Sequence, residues 1–238
     1  MKLTDRFQRA SLILVTAILT ATLTILAARS YSAADPEAQP LTPERAWQRL
    51  QEGNKRFAED KLKHPDLGTT RRLELATGQK PFAVVLTCAD SRLTPEFIFN
   101  QGLGDLFVLR VAGNIAEPFV LGSIEYAVEH LRVPLIVVLG HDKCGAVGAA
   151  LGKEKPTGNL GKLMAEIDVG KELPVTEAAA LRAAVRNNAR HQTLLLGERS
   201  TIIKEHAATK KVRIVCGVYQ LSTGKVEWLE TGAVRGGN

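Results

Sequence analysis

Cysteine is scarce, with three in 238 residues. That is too few for a secreted disulfide scaffold, and an odd number leaves at least one thiol outside any set of paired bridges, free or bound to a metal. A concentrated basic stripe is missing too. Half of the formal charge of +6 sits in the first 34 residues, where Lys2, Arg6, Arg9 and Arg29 outnumber Asp5. The +3 left on the remainder is too weak for a nucleic-acid surface, so no nucleic-acid partner is expected. A phosphate-cradling glycine loop is absent, because Gly102-x-Gly104 has neither the third glycine nor the preceding strand. Nor is there an internal repeat or a low-complexity block. What is present is 45% hydrophobic and 24% charged, an ordinary globular composition with enough apolar residues for one sizeable core or at most two small ones.

The first 34 residues read as an address. Lys2, Arg6 and Arg9 precede an apolar run from Ala10 to Ala28, and Ser32-Ala33-Ala34 offers small residues to a signal peptidase before Asp35. The run is long for a signal core and within reach of a single membrane span, so a cleaved signal peptide and an N-terminal membrane anchor over residues 10–28 both stay open. Positive charge remains on the cytoplasmic side in either case, which makes the downstream domain exported, periplasmic or otherwise extracytoplasmic. Membrane contact is expected only through this segment, and only if it is uncleaved. No cysteine follows the run, so a lipoprotein anchor is not supported.

Residues 35–41 are rich in Ala, Pro and acid and form a tether, after which residues 42–238 read as a single domain. Thr42-Pro43 opens a helix as N-cap and first helical residue, and Trp47, Leu50 and Phe57 keep helical spacing. A short second helix is expected from Arg71 to Thr77, closing on Gly78. Phe82 to Leu86 is a continuous apolar run of the kind a strand buried on both faces shows. Similar runs stand at Leu106–Val111, Leu135–Leu139 and Val212–Val218, separated by helical stretches such as Glu117–Leu131 and Thr176–Glu205. A turn at Leu221–Lys225 leads to a last strand, Val226–Leu229. The alternation predicts an α/β fold, a mainly parallel central sheet flanked by helices, with N-terminal helices and a C-terminal strand extension. Arg182, Arg186 and Arg190, spaced four apart, read as the solvated side of an amphipathic helix.

Chemistry concentrates at two strand ends. Cys88 follows the first buried strand and His141 the third, so a parallel sheet puts both at its carboxyl edge, where open α/β folds bind ligands. Cys144 follows in His141-Asp142-Lys143-Cys144-Gly145, entering the next helix, where free N–H groups favour a thiolate. Two thiolates and one imidazole suit zinc, and three protein ligands leave the open position of a catalytic site. The bland alternative makes Cys88 and Cys144 core residues or a disulfide, and His141 an ordinary loop residue. Cys88-Ala89-Asp90-Ser91-Arg92 weighs against it, since ionic groups at a buried strand end are costly unless they serve one another. Cys216 lies inside an apolar run and reads as a buried core thiol, while His64, His130, His191 and His206 lack any such motif.

These residues resemble the β-class carbonic anhydrases, whose motifs Cys-x-Asp-x-Arg and His-x-x-Cys stand intact and in order, within a similarity running from about Thr42 to the end. The resemblance implies one Zn2+ per chain on Cys88, His141 and Cys144, with water or hydroxide as fourth ligand. Asp90 would accept a hydrogen bond from that hydroxide while Arg92 holds it. The implied reaction is the reversible hydration of carbon dioxide to bicarbonate and a proton, and carbonic anhydrase is itself the standard example of zinc acidifying its bound water. Gln79 matches a family glutamine that donates to substrate, Phe107 and Tyr126 match cleft aromatics, and Gly145 supplies the backbone N–H after the second cysteine. Phe107 and Tyr126 fit core patterns equally well. The family's cleft lies at a dimer interface, so a homodimer or larger homo-oligomer is implied. Val85 stands where bicarbonate-regulated members carry Trp, and with Gln79 present this implies the open-site type. Two other functions keep the motifs: a related-fold hydrolase of carbon disulfide or carbonyl sulfide, and a non-catalytic zinc scaffold, against which Asp90, Arg92 and Gln79 weigh.

Overall fold

The computed structural model describes residues 41–63, 67–154 and 156–230. The expected signal or anchor segment, and the tether up to Pro40, lie outside the described residues. Among the described residues no helix is long and apolar enough to cross a membrane.

Helix α1 (Pro43–Ala58) starts where its cap chemistry predicts, with Pro43 in the first turn and the Thr42 side chain accepting the Arg45 backbone N–H at 3.3 Å. Helix α2 (Thr69–Leu75) leads to β1 (Ala83–Thr87), followed by α3 (Pro95–Ile98) and β2 (Leu106–Arg110). A 3-10 turn (Ala112–Asn114) precedes α4 (Pro118–Glu129), β3 (Leu135–His141), α5 (Gly145–Leu151) and α6 (Gly158–Ala165). Helices α7 (Glu177–Arg199) and α8 (Thr201–Ala208), then strands β4 (Arg213–Tyr219) and β5 (Val226–Leu229), complete the domain.

The sheet runs β2-β1-β3-β4-β5, parallel throughout except for β5, which pairs antiparallel with β4. Central strands β1 and β3 are buried along their whole length, as near-continuous Val, Ile and Leu runs require when helices cover both faces. One apolar cluster gathers Ala46 and Leu50 of α1, Val85, Val137 and Leu139 of the sheet, and Val185 of α7. The other gathers Val84, Leu86, Ile136 and Val138 with Ile124 of α4 and Ile203 of α8. Each fully buried Leu, Ile or Val contributes about 1.5–3 kcal/mol relative to exposure, so the alternating partition of β1 between the two clusters fixes its register.

Three expectations are corrected. Strand β2, read as a buried run like the others, is only half-buried because it forms the sheet edge. The stretch Thr176–Glu205 is two helices, not one. Ser200 leaves helical geometry at φ −130°, its hydroxyl accepting the Ile203 N–H at 3.1 Å and donating to Glu125 at 2.6 Å. A serine that can cap a new helix competes with continuation of the old one. The short second helix, expected over Arg71–Thr77 and closing on Gly78, begins and ends two residues earlier, at Thr69–Leu75.

Candidate metal centre

Parallel pairing of β1 with β3 brings their carboxyl ends together, with Thr87 in register with Leu139. The Thr87 hydroxyl donates to the Leu139 carbonyl at 2.8 Å and ties the two ends in place. Beyond them, Cys88 leaves β1 and His141 closes β3. Lys143 takes a left-handed conformation, φ +52°, in the short turn from His141 to Cys144 at the mouth of α5. The Sγ atoms of Cys88 and Cys144 are 4.0 Å apart, and the ligand atoms of Cys88, His141 and Cys144 all lie within 4.8 Å of one another, with all three residues buried.

Hydrogen bonding decides the state of each group. The Nδ1 of His141 lies 2.9 Å from the Asp142 carbonyl; since a carbonyl only accepts, Nδ1 carries a proton, which in the metal-binding tautomer leaves the lone pair at Nε2. That Nε2 is buried and has no hydrogen-bond partner among the described residues, a costly arrangement for a polar atom unless something else binds it. Cys88 is pushed below the ordinary thiol range, first by the hydrogen bond from Cys144 and then by the backbone N–H groups of Asp90 and Gly113, against the opposing effect of burial. Cys144 is pushed up, because it donates that hydrogen bond and is buried beside the Cys88 charge. A divalent metal bound by both sulfurs would displace the thiol protons. Two soft thiolates and an imidazole with a free nitrogen fit zinc.

The loop after Cys88 is held from two sides. Arg92 grips Asp90 through Nε to Oδ1 at 2.8 Å and Nη2 to Oδ2 at 2.7 Å, and its backbone N–H adds a bond to Oδ1 at 3.0 Å. These donors, with the Arg92 charge, hold the Asp90 carboxyl far below the usual carboxylate range. Its Oδ2 stands 3.9 Å from His141 Nε2. From β2, Arg110 donates to the carbonyls of Cys88, Ala89 and Asp90 at 3.4, 3.2 and 2.7 Å. Asp142 fastens the other loop, accepting the Leu221 N–H at 2.9 Å.

Gly145, the residue after Cys144, is the first of α5, so its N–H has no intrahelical acceptor. Gln79 is exposed in the segment before β1. Phe107 and Tyr126 do not join the cysteines within one chain. Phe107 is opposite Val84, four residues before Cys88, or about 13 Å along the strand. It packs with the cluster on the other side of the sheet from Cys88 and Cys144. Tyr126, 46% exposed, meets Phe107 with the rings tilted 41° to each other at a centroid distance of 6.3 Å.

Arg110, Gly113 and Asn188 escaped the motif-based reading. Arg110 is a charge at the very end of an apolar run, a visible signal. Asn188 and Gln192 are polar residues one turn apart on α7, and nothing in the sequence marks them as buried.

A family model described as carbonic anhydrase matches residues 83–226. Carbonic anhydrase 2 of Mycobacterium tuberculosis is 44% identical over 188 residues, 77% of this chain and 91% of that protein. The solved Coccomyxa β-carbonic anhydrase, in complex with acetazolamide, superposes with a TM-score of 0.63 at 28% identity, covering 77% of this chain and 87% of that one. A β-carbonic anhydrase of Sordaria macrospora, described as tetrameric, has a TM-score of 0.57 at 27% identity, covering 66% and 85%. With its five-stranded, mainly parallel sheet and its Cys-His-Cys group, the chain belongs to the carbonic anhydrase family, in its β class.

Proposed function

We propose that the chain binds one zinc ion through Cys88, His141 and Cys144 and interconverts carbon dioxide and bicarbonate. The observation that carries this reading is the buried, unpartnered Nε2 of His141 within 4.8 Å of two buried thiols. When bound, zinc supplies the Lewis acidity that ionises water near neutral pH, carbonic anhydrase being the standard case. The rest falls to the protein. Ionised Asp90 only accepts hydrogen bonds, so it holds the proton of a water beside Oδ2 and turns that oxygen's lone pair away from the carboxylate. Arg92, by its bidentate grip, keeps the same carboxylate from closing the 3.9 Å gap and competing for the metal.

Homo-oligomers fit this reading. Phe107 and Tyr126 lie too far from the cysteines of their own chain to line its cleft, and they reach a cleft only if it belongs to a second copy. The basic flank and apolar run within residues 1–34 support an extracytoplasmic location.

The deciding experiment is stopped-flow hydration of carbon dioxide by the purified full chain, with zinc quantified on the same sample. Fast hydration with about one zinc per chain is expected. Zinc without hydration would move the assignment to hydrolysis of carbon disulfide or carbonyl sulfide, or to a zinc scaffold.

A further inference from the structure

Between Cys88 and helix α7 lies a single peptide turn with both of its polar ends in use. The Gly113 N–H donates to the Cys88 Sγ at 3.4 Å. The Gly113 carbonyl accepts from Asn188 Nδ2 at 2.8 Å. The turn is a demanding one, since Gly113 has φ +71° and Asn114 φ +47°. That backbone conformation restricts position 113 to glycine, and a Cβ there would also have to push aside the end of the Ile167 side chain, 2.7 Å away.

Asn188 is fully buried and its own orientation is over-determined. Its Oδ1 accepts from Gln192 Nε2 at 3.1 Å and from the Asp168 N–H at 3.3 Å. That leaves Nδ2 for Gly113 and settles which end of the amide faces the turn. Gln192, also fully buried, accepts the Ala116 N–H at 2.8 Å and donates to the Glu166 carbonyl at 2.7 Å. Two amides one helical turn apart thus clamp residues 113–116 from below. Buried amides bring the cost of burial and yield nothing unless fully bonded.

We propose that Asn188 is a positioning residue of the metal centre: through Gly113 it holds an N–H on the Cys88 sulfur and so sets how tightly that thiolate binds the metal. The inference rests on the zinc reading above. An N–H donor on a thiolate fixes the direction in which its lone pairs point, and losing outer partners of this kind typically costs about 10–100-fold in metal affinity. Asn188 touches neither metal nor substrate; it acts by keeping the peptide turn from rotating its N–H away.

The test uses the full chain loaded with cobalt(II), as wild type, Asn188→Ala and Thr193→Val. Thr193 is an equally buried neighbour on α7 whose hydroxyl donates to the Ala189 carbonyl within the helix. Asn188→Ala is expected to weaken cobalt binding, measured by chelator competition, about 10–100-fold and to shift the thiolate-to-cobalt charge-transfer band. Thr193→Val should leave both at wild-type values, whatever it does to thermal stability. An unchanged band and affinity in Asn188→Ala overturns the proposal, as does the same shift in Thr193→Val. If Asn188→Ala does not fold, the wild type loaded with cadmium-113 decides: a scalar coupling from the Gly113 amide proton to the metal supports the proposal, and its absence overturns it. A wild type that takes up no cobalt defeats the zinc reading and this inference together, whereas normal wild-type binding with an indifferent Asn188→Ala defeats the inference alone.

Discussion

Arg92 holds both oxygens of Asp90, at 2.8 and 2.7 Å, and in that posture leaves Oδ2 3.9 Å from the free nitrogen of His141. On the proposed zinc reading the carboxylate would be near enough to orient a water at the metal and restrained from becoming a ligand. Asp90 contributes nothing to the donor set of Cys88, His141 and Cys144. Asp90→Ala should therefore lower carbon dioxide turnover by about 10²–10⁴-fold, the usual worth of a positioned proton acceptor. Zinc per chain, measured on the same samples, should stay near the wild-type value; unchanged turnover would sink the role given to Asp90.

The same pair makes a statement about pH. Arg92 depresses the Asp90 pKa in the folded state, so the stabilisation is complete above the unfolded carboxylate value and is lost only as pH falls through the lower folded value. Across the range from pH 8 to pH 5 the carboxylate should stay ionised. Carbon-13 NMR of the Asp90 carboxyl should show no titration step there, and any acid loss of turnover in that range must come from another group.

Cys88 and Cys144 stand 4.0 Å apart, sulfur to sulfur, and the Cys88 thiol is pushed below its ordinary range. Zinc and oxidation should therefore compete for the pair. Chelation in air is expected to reduce the titratable thiols of the unfolded chain from three to one, leaving Cys216. Activity should then return only when zinc is supplied together with a reductant. Full recovery with zinc alone would contradict the disulfide.

Much of this centre is written locally. Cys88, Asp90 and Arg92 share one loop, His141 and Cys144 another, and the two apolar runs before them read as parallel neighbours, so topology supplies the meeting point. Strand β5 is legible at its full extent because the turn at Leu221–Lys225 marks where it begins. What stayed hidden depends on contacts between distant segments. Nothing near Asn188 shows that it faces Gly113, 75 residues away, because burial of an amide is decided by what packs on it. The break at Ser200 was missed for a related reason, since helical periodicity continues through it and only the cap geometry ends α7. The edge position of β2 follows from strand order, to which an apolar run is blind.

Gly53, buried in α1, shows how tightly the N-terminal helix is seated. A Cβ there would come within 1.8 Å of the Phe99 carbonyl oxygen, and backbone cannot yield as a side chain can. The next residue, Asn54, bonds the Ile98 carbonyl, the Gly224 carbonyl and the Val226 N–H at 3.1, 2.8 and 2.8 Å, so any shift of α1 breaks three further bonds. Gly53→Ala should destabilise by about 3 kcal/mol, at the upper end of overpacking costs. For a domain of this size that is roughly 6–12 °C in Tm, read by thermal unfolding of the full chain. A Tm within a degree of wild type would mean that α1 is not seated as described.

Phe107 and Tyr126 pose the sharpest question about assembly, because they lie across the sheet from the cysteines of their own chain. If they line a cleft, the cleft belongs to a second copy, and each complete site draws on two chains. Co-expression of Asp90→Ala chains with Tyr126→Ala chains separates the possibilities. In a mixed dimer one site carries both defects, while the other takes Asp90 from one chain and Tyr126 from its neighbour and is whole. Activity of the isolated mixed dimer should then exceed the mean of the two parent homodimers. Were Tyr126 to act within its own chain, both sites of the mixed dimer would remain defective and the activity would equal that mean.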